Sequence, residues 1–331
     1  MTLEALFEGF KQKKIVVLGD VMIDAYLTGK VQRISPEAPV PIVNFTKHEN
    51  RLGGAANVAL NLISLGAKVA MATVIGQDNE AKDLIALFEQ EEISTHGVVQ
   101  SENRQTTIKT RVIGNHQQLL RIDHEQTDDI STEEENLLLN NLENLFKEGQ
   151  DAIILQDYNK GVLTANLIEK VITLAMQYEV IVTVDPKDKN FLAYKGVTLF
   201  KPNLKELSEG VKMSIDFAKH REQFEAATEK LKSIINPEIL FVTLSEYGVF
   251  IENEKGKHYI PAHERTISDV SGAGDTVISV ATLCLASGLA VENVAAMANL
   301  AGGIVCEYRG VVAINAVQLC EEANKKGLNV E

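Results

Sequence analysis

The chain has 331 residues, 45% of them hydrophobic and 24% charged, which suits one large soluble α/β domain or a domain with an appendage. Lys plus Arg is 32 and Asp plus Glu is 46, so the net charge is −14, and sequence-independent binding to nucleic acid or to anionic membranes is disfavoured. No stretch reaches the roughly 18 apolar residues of a membrane span. The amphipathic first ten residues carry no signal-peptide pattern, and a cytoplasmic protein is expected. The odd, widely spaced set Cys284, Cys306 and Cys320 is expected to be reduced and buried, without a metal.

In chain order, the apolar run at 14–19 ending in glycine reads as a buried parallel strand, with Asp20 and Asp24 after it. The proline-rich segment 35–41 suits edge or irregular strand. Leu52-Gly53-Gly54-Ala55-Ala56-Asn57 opens a helix to about residue 65. A strand at 69–75 and a helix at 81–90 come next. Residues 106–113 and 118–122 pair as an antiparallel ribbon about Gly114-Asn115. An acidic amphipathic helix covers 132–147. Beyond it the rhythm is strand and helix: strands at 152–156, 180–185, 197–200 and 239–244, helices at 164–178 and 214–234. A hairpin at 248–253 and 257–261 leads into largely apolar helices at 274–286 and 291–306, which should be buried. The expected fold is α/β, a doubly wound, mostly parallel sheet flanked by helices. Segments 25–48 and 104–124 break the rhythm and are expected to form a small β-sheet lid inserted in a domain spanning 1–331.

The stretch Asp269-Val270-Ser271-Gly272-Ala273-Gly274-Asp275-Thr276 is the chemical centre of this reading. Glycines let another molecule approach the backbone, and unpaired amides at a helix start favour an anion such as a phosphate. A carboxylate there suits a general base acting on a hydroxyl while the amides hold charge on a phosphoryl group. The same residues also suit an ordinary helix cap with a first-turn acid. No Gly-rich loop ending in Gly-Lys-Ser/Thr occurs, no GxGxxG follows the first strand, and no zinc-ligand pattern is present.

The Gly53–Asn57 helix start, Asp24, Asn203-Leu204-Lys205-Glu206 and the 269–276 loop occur in the order of the ribokinase-like, PfkB-type carbohydrate kinases, which the chain resembles over nearly its whole length. Within them it is most similar to bacterial heptose-7-phosphate kinases of lipopolysaccharide synthesis. Five stretches carry that likeness: Gly19-Asp20-Val21-Met22-Ile23-Asp24-Ala25-Tyr26, residues 33–41, residues 117–123, Asp157-Tyr158-Asn159-Lys160-Gly161-Val162-Leu163, and Asp185-Pro186-Lys187.

The resemblance implies ATP and Mg²⁺ as cofactors and Asp275 as the base, with the amides of Gly272, Ala273, Gly274 and Asp275 as the anion hole. Asn203 and Glu206 would organise Mg²⁺ largely through water. Thr243, Ser245 and Gly248 would line the nucleotide cleft, with Asn299 and Gly302 near the adenine. Asp24, Gly53, Gly54 and Asn57 would bind sugar hydroxyls. Lys109, Arg121, Lys160 and Lys187 are the first candidates for a substrate phosphate, ahead of Arg33 and Arg111. Glu307-Tyr308 departs from the small or basic residues of relatives and leaves the adenine-pocket lining open. Many such kinases are fused to a C-terminal nucleotidyltransferase. No HxGH-type motif is seen here, so the kinase step alone is expected. Another sugar (ribose, fructose 1-phosphate) or a non-catalytic regulatory role are the alternatives. The expected partners are a sugar phosphate, ATP and a second copy of the chain, paired through the lid.

Overall fold

A computed structural model describes residues 1–328. After the amphipathic helix α1 (Leu3–Phe10), the run Lys14–Gly19 forms β1, buried throughout after Lys14. Its side chains alternate: Ile15 and Val17 enter one core, Val16 and Leu18 the other. Asp20 separates β1 from β2 (Val21–Ile34), which leaves the main body and returns as β3 (Pro41–Gly54). Next come α2 (Ala55–Ser64), β4 (Lys68–Gly76), α3 (Asn79–Gln90), β5 (Ser94–Ser101), the ribbon β6 (Ile108–Gly114) and β7 (Gln117–His124), and α4 (Thr132–Lys147). Strands and helices then alternate through β8 (Ala152–Gln156), α5 (Ala165–Gln177), β9 (Ile181–Asp185), β10 (Leu199–Phe200), α6 (Leu204–Gly210), α7 (Arg221–Ile235) and β11 (Ile239–Thr243). The hairpin β12 (Val249–Asn253) and β13 (Gly256–Ile260) precedes α8 (Ala273–Ala286), α9 (Val291–Val305) and α10 (Ala316–Lys326).

Nine strands form the main sheet in the order β13-β12-β11-β10-β9-β8-β1-β4-β5. All its pairings are parallel except those of β12 and β13. Helices α1, α2, α3, α8, α9 and α10 contribute to the core on one face, and α4, α5 and α7 to the core on the other. The doubly wound, mostly parallel architecture expected from the sequence is thus present. Three elements escape that expectation. Strand β5 is a half-polar edge, α6 is a single short helix set by its cap, and α10 is amphipathic with Leu319 and Ala323 buried. Helix α7 also starts later than expected, at Arg221, because Phe217 before it is buried against Phe224.

The other sheet has the order β3-β2-β6-β7. It is larger than segments 25–48 and 104–124, because β2 and β3 are long and paired from Val21↔Gly54 to Ile34↔Pro41. Leu52, Gly53 and Gly54 therefore end a strand instead of opening a helix, and α2 begins at Ala55, whose amide donates to the Asp20 carbonyl. Gly54 turns there with φ 62°, and a Cβ would meet the Asp20 carbonyl oxygen at 2.5 Å. The ribbon reverses at Asn115 and His116, both with positive φ, one residue later than the sequence suggests.

The register gives this sheet two unlike faces. Asp24, Tyr26, Glu49, Arg51, Lys109, Arg111, Arg121 and Asp123 share one. Leu27, Phe45, Val112, Leu120 and Ile122 share the opposite one, and there Phe45, Leu120 and Ile122 are 63%, 55% and 52% exposed.

Candidate active site

The main sheet delivers one side chain after another at the carboxyl ends of its parallel strands: Asp20 after β1, Gln156 ending β8, Asp185 ending β9, Lys201 after β10 and Thr243 ending β11. Helix α8 points its N-terminus at that row. Gly272 caps it in the left-handed region at φ 79°, where a side chain would be strained and would also press on Val311. The amide of Ala273 donates to the Val270 carbonyl at 3.3 Å. Those of Gly272, Gly274 and Asp275 have no hydrogen-bond partner among the described residues, and Gly272, Gly274 and Asp275 line a cleft of about 740 Å³.

Asp275 is 5% exposed. Its Oδ1 accepts from the Tyr158 hydroxyl at 2.8 Å and from Gln156 Nε2 at 3.3 Å, and the Asn57 side chain stands close enough to favour the ionised form. Gln156 Nε2 donates to Asp185 Oδ2 as well, at 3.2 Å, and Asp185 pairs with Lys201 Nζ at 2.9 Å. Burial, reinforced by the negative charge of Asp185, pushes the Asp275 carboxyl up to about 7, against the pull of Tyr158, Lys201 and Asn57. A buried carboxylate poised near neutrality can take and release a proton at working pH. Burial also lifts Asp157 to about 6, assisted by Asp20, while Tyr194 donates to Asp157 Oδ2 at 2.7 Å.

Other candidates fall into three groups. Asn203, Glu206, Thr243, Ser245 and Lys187 line the same cleft as Asp275. Asn203 and Glu206 form a reciprocal capping box at the start of α6: the Glu206 amide donates to Asn203 Oδ1 at 2.8 Å, and the Asn203 amide to Glu206 Oε2 at 2.9 Å. Lys187 pairs with Glu206 Oε1. Both Glu206 oxygens thus have partners, and no group of three or more acidic, His or Cys metal ligands occurs among the described residues. Asp185, Glu206 and Glu209 still give the cleft hard oxygen donors. That set fits Mg²⁺ arriving with its own waters and with phosphate oxygens, not a dedicated protein cage.

Asp24 and Asn57 line a second cavity of about 380 Å³, with Tyr26, Arg51 and residues 311–313. Asn57 lines this cavity and also acts on the Asp275 carboxyl, which lines the larger cleft, so the two cavities approach each other there. Asp24 pairs with Arg111, and the Tyr26 ring lies between the guanidiniums of Arg51 and Arg111, at 4.9 and 5.4 Å. A Cβ on Gly53 would meet Asp24 Oδ2 at 2.5 Å, so the glycine makes room for that carboxylate. Three predicted cations converge nearby. Lys160 reaches Glu125 at 2.8 Å, Lys109 stands 3.5 Å from Glu125 and 3.9 Å from Asp123, and Arg121 bonds Asp123.

Gly248, Asn299 and Gly302 lie away from the lining of either cavity. Gly248 turns into β12 with φ 90°, Asn299 donates to the Pro261 carbonyl, and Gly302 lets α9 approach Val277 of α8. Glu307 pairs with buried Arg265. The cysteines are free thiols, two buried and Cys320 half-buried. Gln156, Asp185, Lys201 and Tyr158 were not among the sequence candidates for the site. Their signal was position: three close or follow parallel strands, and Tyr158 follows β8 by two residues.

Residues 12–317 match the family described as pfkB family carbohydrate kinase. Relatives named "Bifunctional protein HldE" include one from Methylobacillus flagellatus, 42% identical over 93% of this chain and 62% of the relative. Another, from Helicobacter pylori, is 40% identical over 90% of this chain and 64% of the relative. The chain thus spans less than two thirds of the length of these curated relatives. Among solved structures, phosphofructokinase-2 from Escherichia coli in complex with potassium matches with a TM-score of 0.77 at 18% identity, covering 95% of this chain and 99% of that one. Arabidopsis thaliana ribokinase complexed with ribose and ATP matches at 0.69 and 16% identity, covering 94% and 99%. At these identities the structural likeness concerns the fold.

The raised Asp275 value has a consequence for stability. An ordinary Asp has lost its proton above 3.8, whereas the folded protein keeps this one to about 7. The folded state therefore binds the extra proton between those values, and stability falls as pH rises through them. The penalty is absent below pH 3.8 and complete above 7. Asp275→Asn removes the charge in nearly the same shape. It is expected to raise the unfolding free energy in urea by on the order of 1–3 kcal/mol at pH 8, and by much less at pH 4. Equal wild-type and variant midpoints at pH 8 would contradict a carboxylate ionised at a cost.

Proposed function

The chain belongs to the pfkB family of carbohydrate kinases, and on that premise we propose that it transfers the γ-phosphoryl group of ATP to the anomeric O1 of D-glycero-D-manno-heptose 7-phosphate. The products are the 1,7-bisphosphate and ADP, and the step feeds ADP-heptose and lipopolysaccharide-core synthesis in the cytoplasm. The observation that carries this reading is Asp275, a buried carboxyl near neutrality, placed beside unpartnered amides at a helix start.

In this reading Asp275 takes the O1 proton as the O1–P bond forms and the bond from the γ-phosphorus to the β,γ-bridging oxygen breaks. The amides of Gly272 and Gly274 face the transferring group, and the dipole of α8 favours its negative charge. Ala273 contributes less, since its amide already has an acceptor. ATP lies in the larger cleft beside Thr243, Ser245, Asn203 and Glu206. Mg²⁺, when bound, neutralises charge on the β- and γ-phosphates. Lys187 and Lys201 bring two further cations to that cleft.

The sugar takes the smaller cavity, where Asp24 and Asn57 offer hydroxyl partners; Gly53 and Gly54 lie outside its lining, and Gly53 acts by leaving room for the Asp24 carboxylate. Its phosphate end is assigned to Lys109, Lys160 and Arg121, which already converge on two acids. Lys187 stands on the nucleotide side and is a weaker choice for that phosphate. The small sheet acts as a lid over the sugar, its charged face inward. Its exposed apolar face, with Phe45, Leu120 and Ile122, supports pairing with a second copy of the chain.

Four measurements test this reading. Coupled assay of ADP release over heptose 7-phosphate, free ribose and fructose 1-phosphate should favour the heptose phosphate, and strong turnover of ribose with none of it would remove the substrate. Asp275→Asn should lower kcat about 10³-fold while ATP affinity is kept, and loss of less than about tenfold would unseat the base. Replacing Lys109 and Lys160 by alanine together should raise KM for the sugar phosphate by about 10- to 100-fold, with kcat within about threefold. An unchanged KM would send the phosphate elsewhere. For the lid, light scattering should report a dimer at micromolar concentration and a monomer for Leu120→Asp with Ile122→Asp. A monomeric wild type would end that proposal.

A further inference from the structure

Among the side chains touching Asp275, Tyr158 is held most elaborately. The Asp20 carboxylate accepts the amides of Tyr158, Lys160 and Val162 at 2.9, 3.0 and 3.0 Å, and so pins the loop from three points. Asp157, just before it, is fixed through its amide to the Asp185 carbonyl and through its carboxylate to the Tyr194 hydroxyl. Asn159 sits in the left-handed region at φ 55°, and Gly161 at φ 90° packs where a Cβ would meet the Asp128 carbonyl at 2.0 Å. A loop this constrained delivers one phenol hydroxyl to one oxygen of one carboxylate.

We propose that Tyr158 is a positioning residue for the transfer reaction: with Gln156 it occupies Asp275 Oδ1 and thereby assigns proton acceptance to Oδ2. This rests on Asp275 being the base, as argued above. Both donors converge on Oδ1, at 2.8 and 3.3 Å. A carboxylate with one oxygen doubly bonded cannot rotate without breaking both bonds, so the remaining oxygen keeps a fixed aim. Gln156 has a complementary feature. Its Nε2 is shared between Asp275 and Asp185, while its buried Oε1 has no hydrogen-bond partner among the described residues. The phenol stays protonated, because burial and the Asp275 charge push its own titration well above the usual tyrosine value. It therefore donates throughout the working range.

Tyr158→Phe removes the hydroxyl and keeps the ring. Losing a donor raises the proton affinity of Asp275, so the acid limb of the kcat–pH profile should move to higher pH. At pH 7 kcat should fall about tenfold, with KM for the sugar unchanged within about twofold, and part of the loss should return by about pH 9. A purely structural role would instead lower thermal stability and leave the limb in place. A ¹³C-carboxyl NMR titration of substrate-free wild type and Tyr158→Phe reads the same bond without turnover, with Asp275→Asn identifying the signal. A higher Asp275 titration midpoint in the variant is expected. If the midpoint and the acid limb are both unmoved, the proposal is overturned. If the midpoint moves while no sugar in the panel is phosphorylated by wild type, the positioning bond stands and the substrate reading falls.

Discussion

The structure turns on one arrangement: an acid buried at the positive end of a helix with a second acid beside it. Asp275 meets Asp185 through a shared amide of Gln156, and Lys201 balances Asp185 from the far side. Isolated, such a carboxylate would simply keep its proton. The donors Tyr158, Gln156 and Asn57 and the nearby ammonium hold it within reach of ionisation. Everything else in the fold can be seen as bringing those groups to one point. The parallel strands end in a row there, and α8, capped by a glycine with a positive φ, enters the row from one side.

The small sheet solves a different problem. One run of alternating residues presents charge on one face of the sheet and apolar surface on the other. Strand alternation does this at no cost in chain length. The charged face is not left open. Lys109, Arg121 and Lys160 are matched by Asp123 and Glu125, and Arg111 by Asp24. Such pairing keeps the cations ordered and limits repulsion among them.

Much of this was legible beforehand, and the reasons can be given residue by residue. The apolar run of β1 and the capped, acidic α4 are strong local signals, and the structure has both where they were read. Asp275 stood out because a carboxylate in a glycine-rich helix start needs explaining. Strand β5 escapes the sequence because it is an edge with polar residues along it, and α10 because its apolar face is narrow, with Leu319 and Ala323 as its buried residues. Gln156, Asp185 and Lys201 were hidden for another reason. Each is an ordinary polar residue in its own segment, and only parallel pairing of β8, β9 and β10 brings them within bonding distance. Asn299 and Gly302 show the converse, since a polar residue and a glycine in an apolar helix serve a loop contact and a helix crossing.

Asp20 closes the circle between the two sheets. Its backbone carbonyl holds the amide that starts α2, directly after β3, while its side chain fastens the loop carrying Tyr158. One long strand of the small sheet thus begins beside this residue and the other ends beside it. Each strand is 14 residues long, about 45 Å when extended, and its base is set in the main core by Val21, Ile23 and Ala25 of β2 and Leu52 of β3. A displacement of the far tip would therefore reach the carboxylate network much reduced, because the embedded base lies between them.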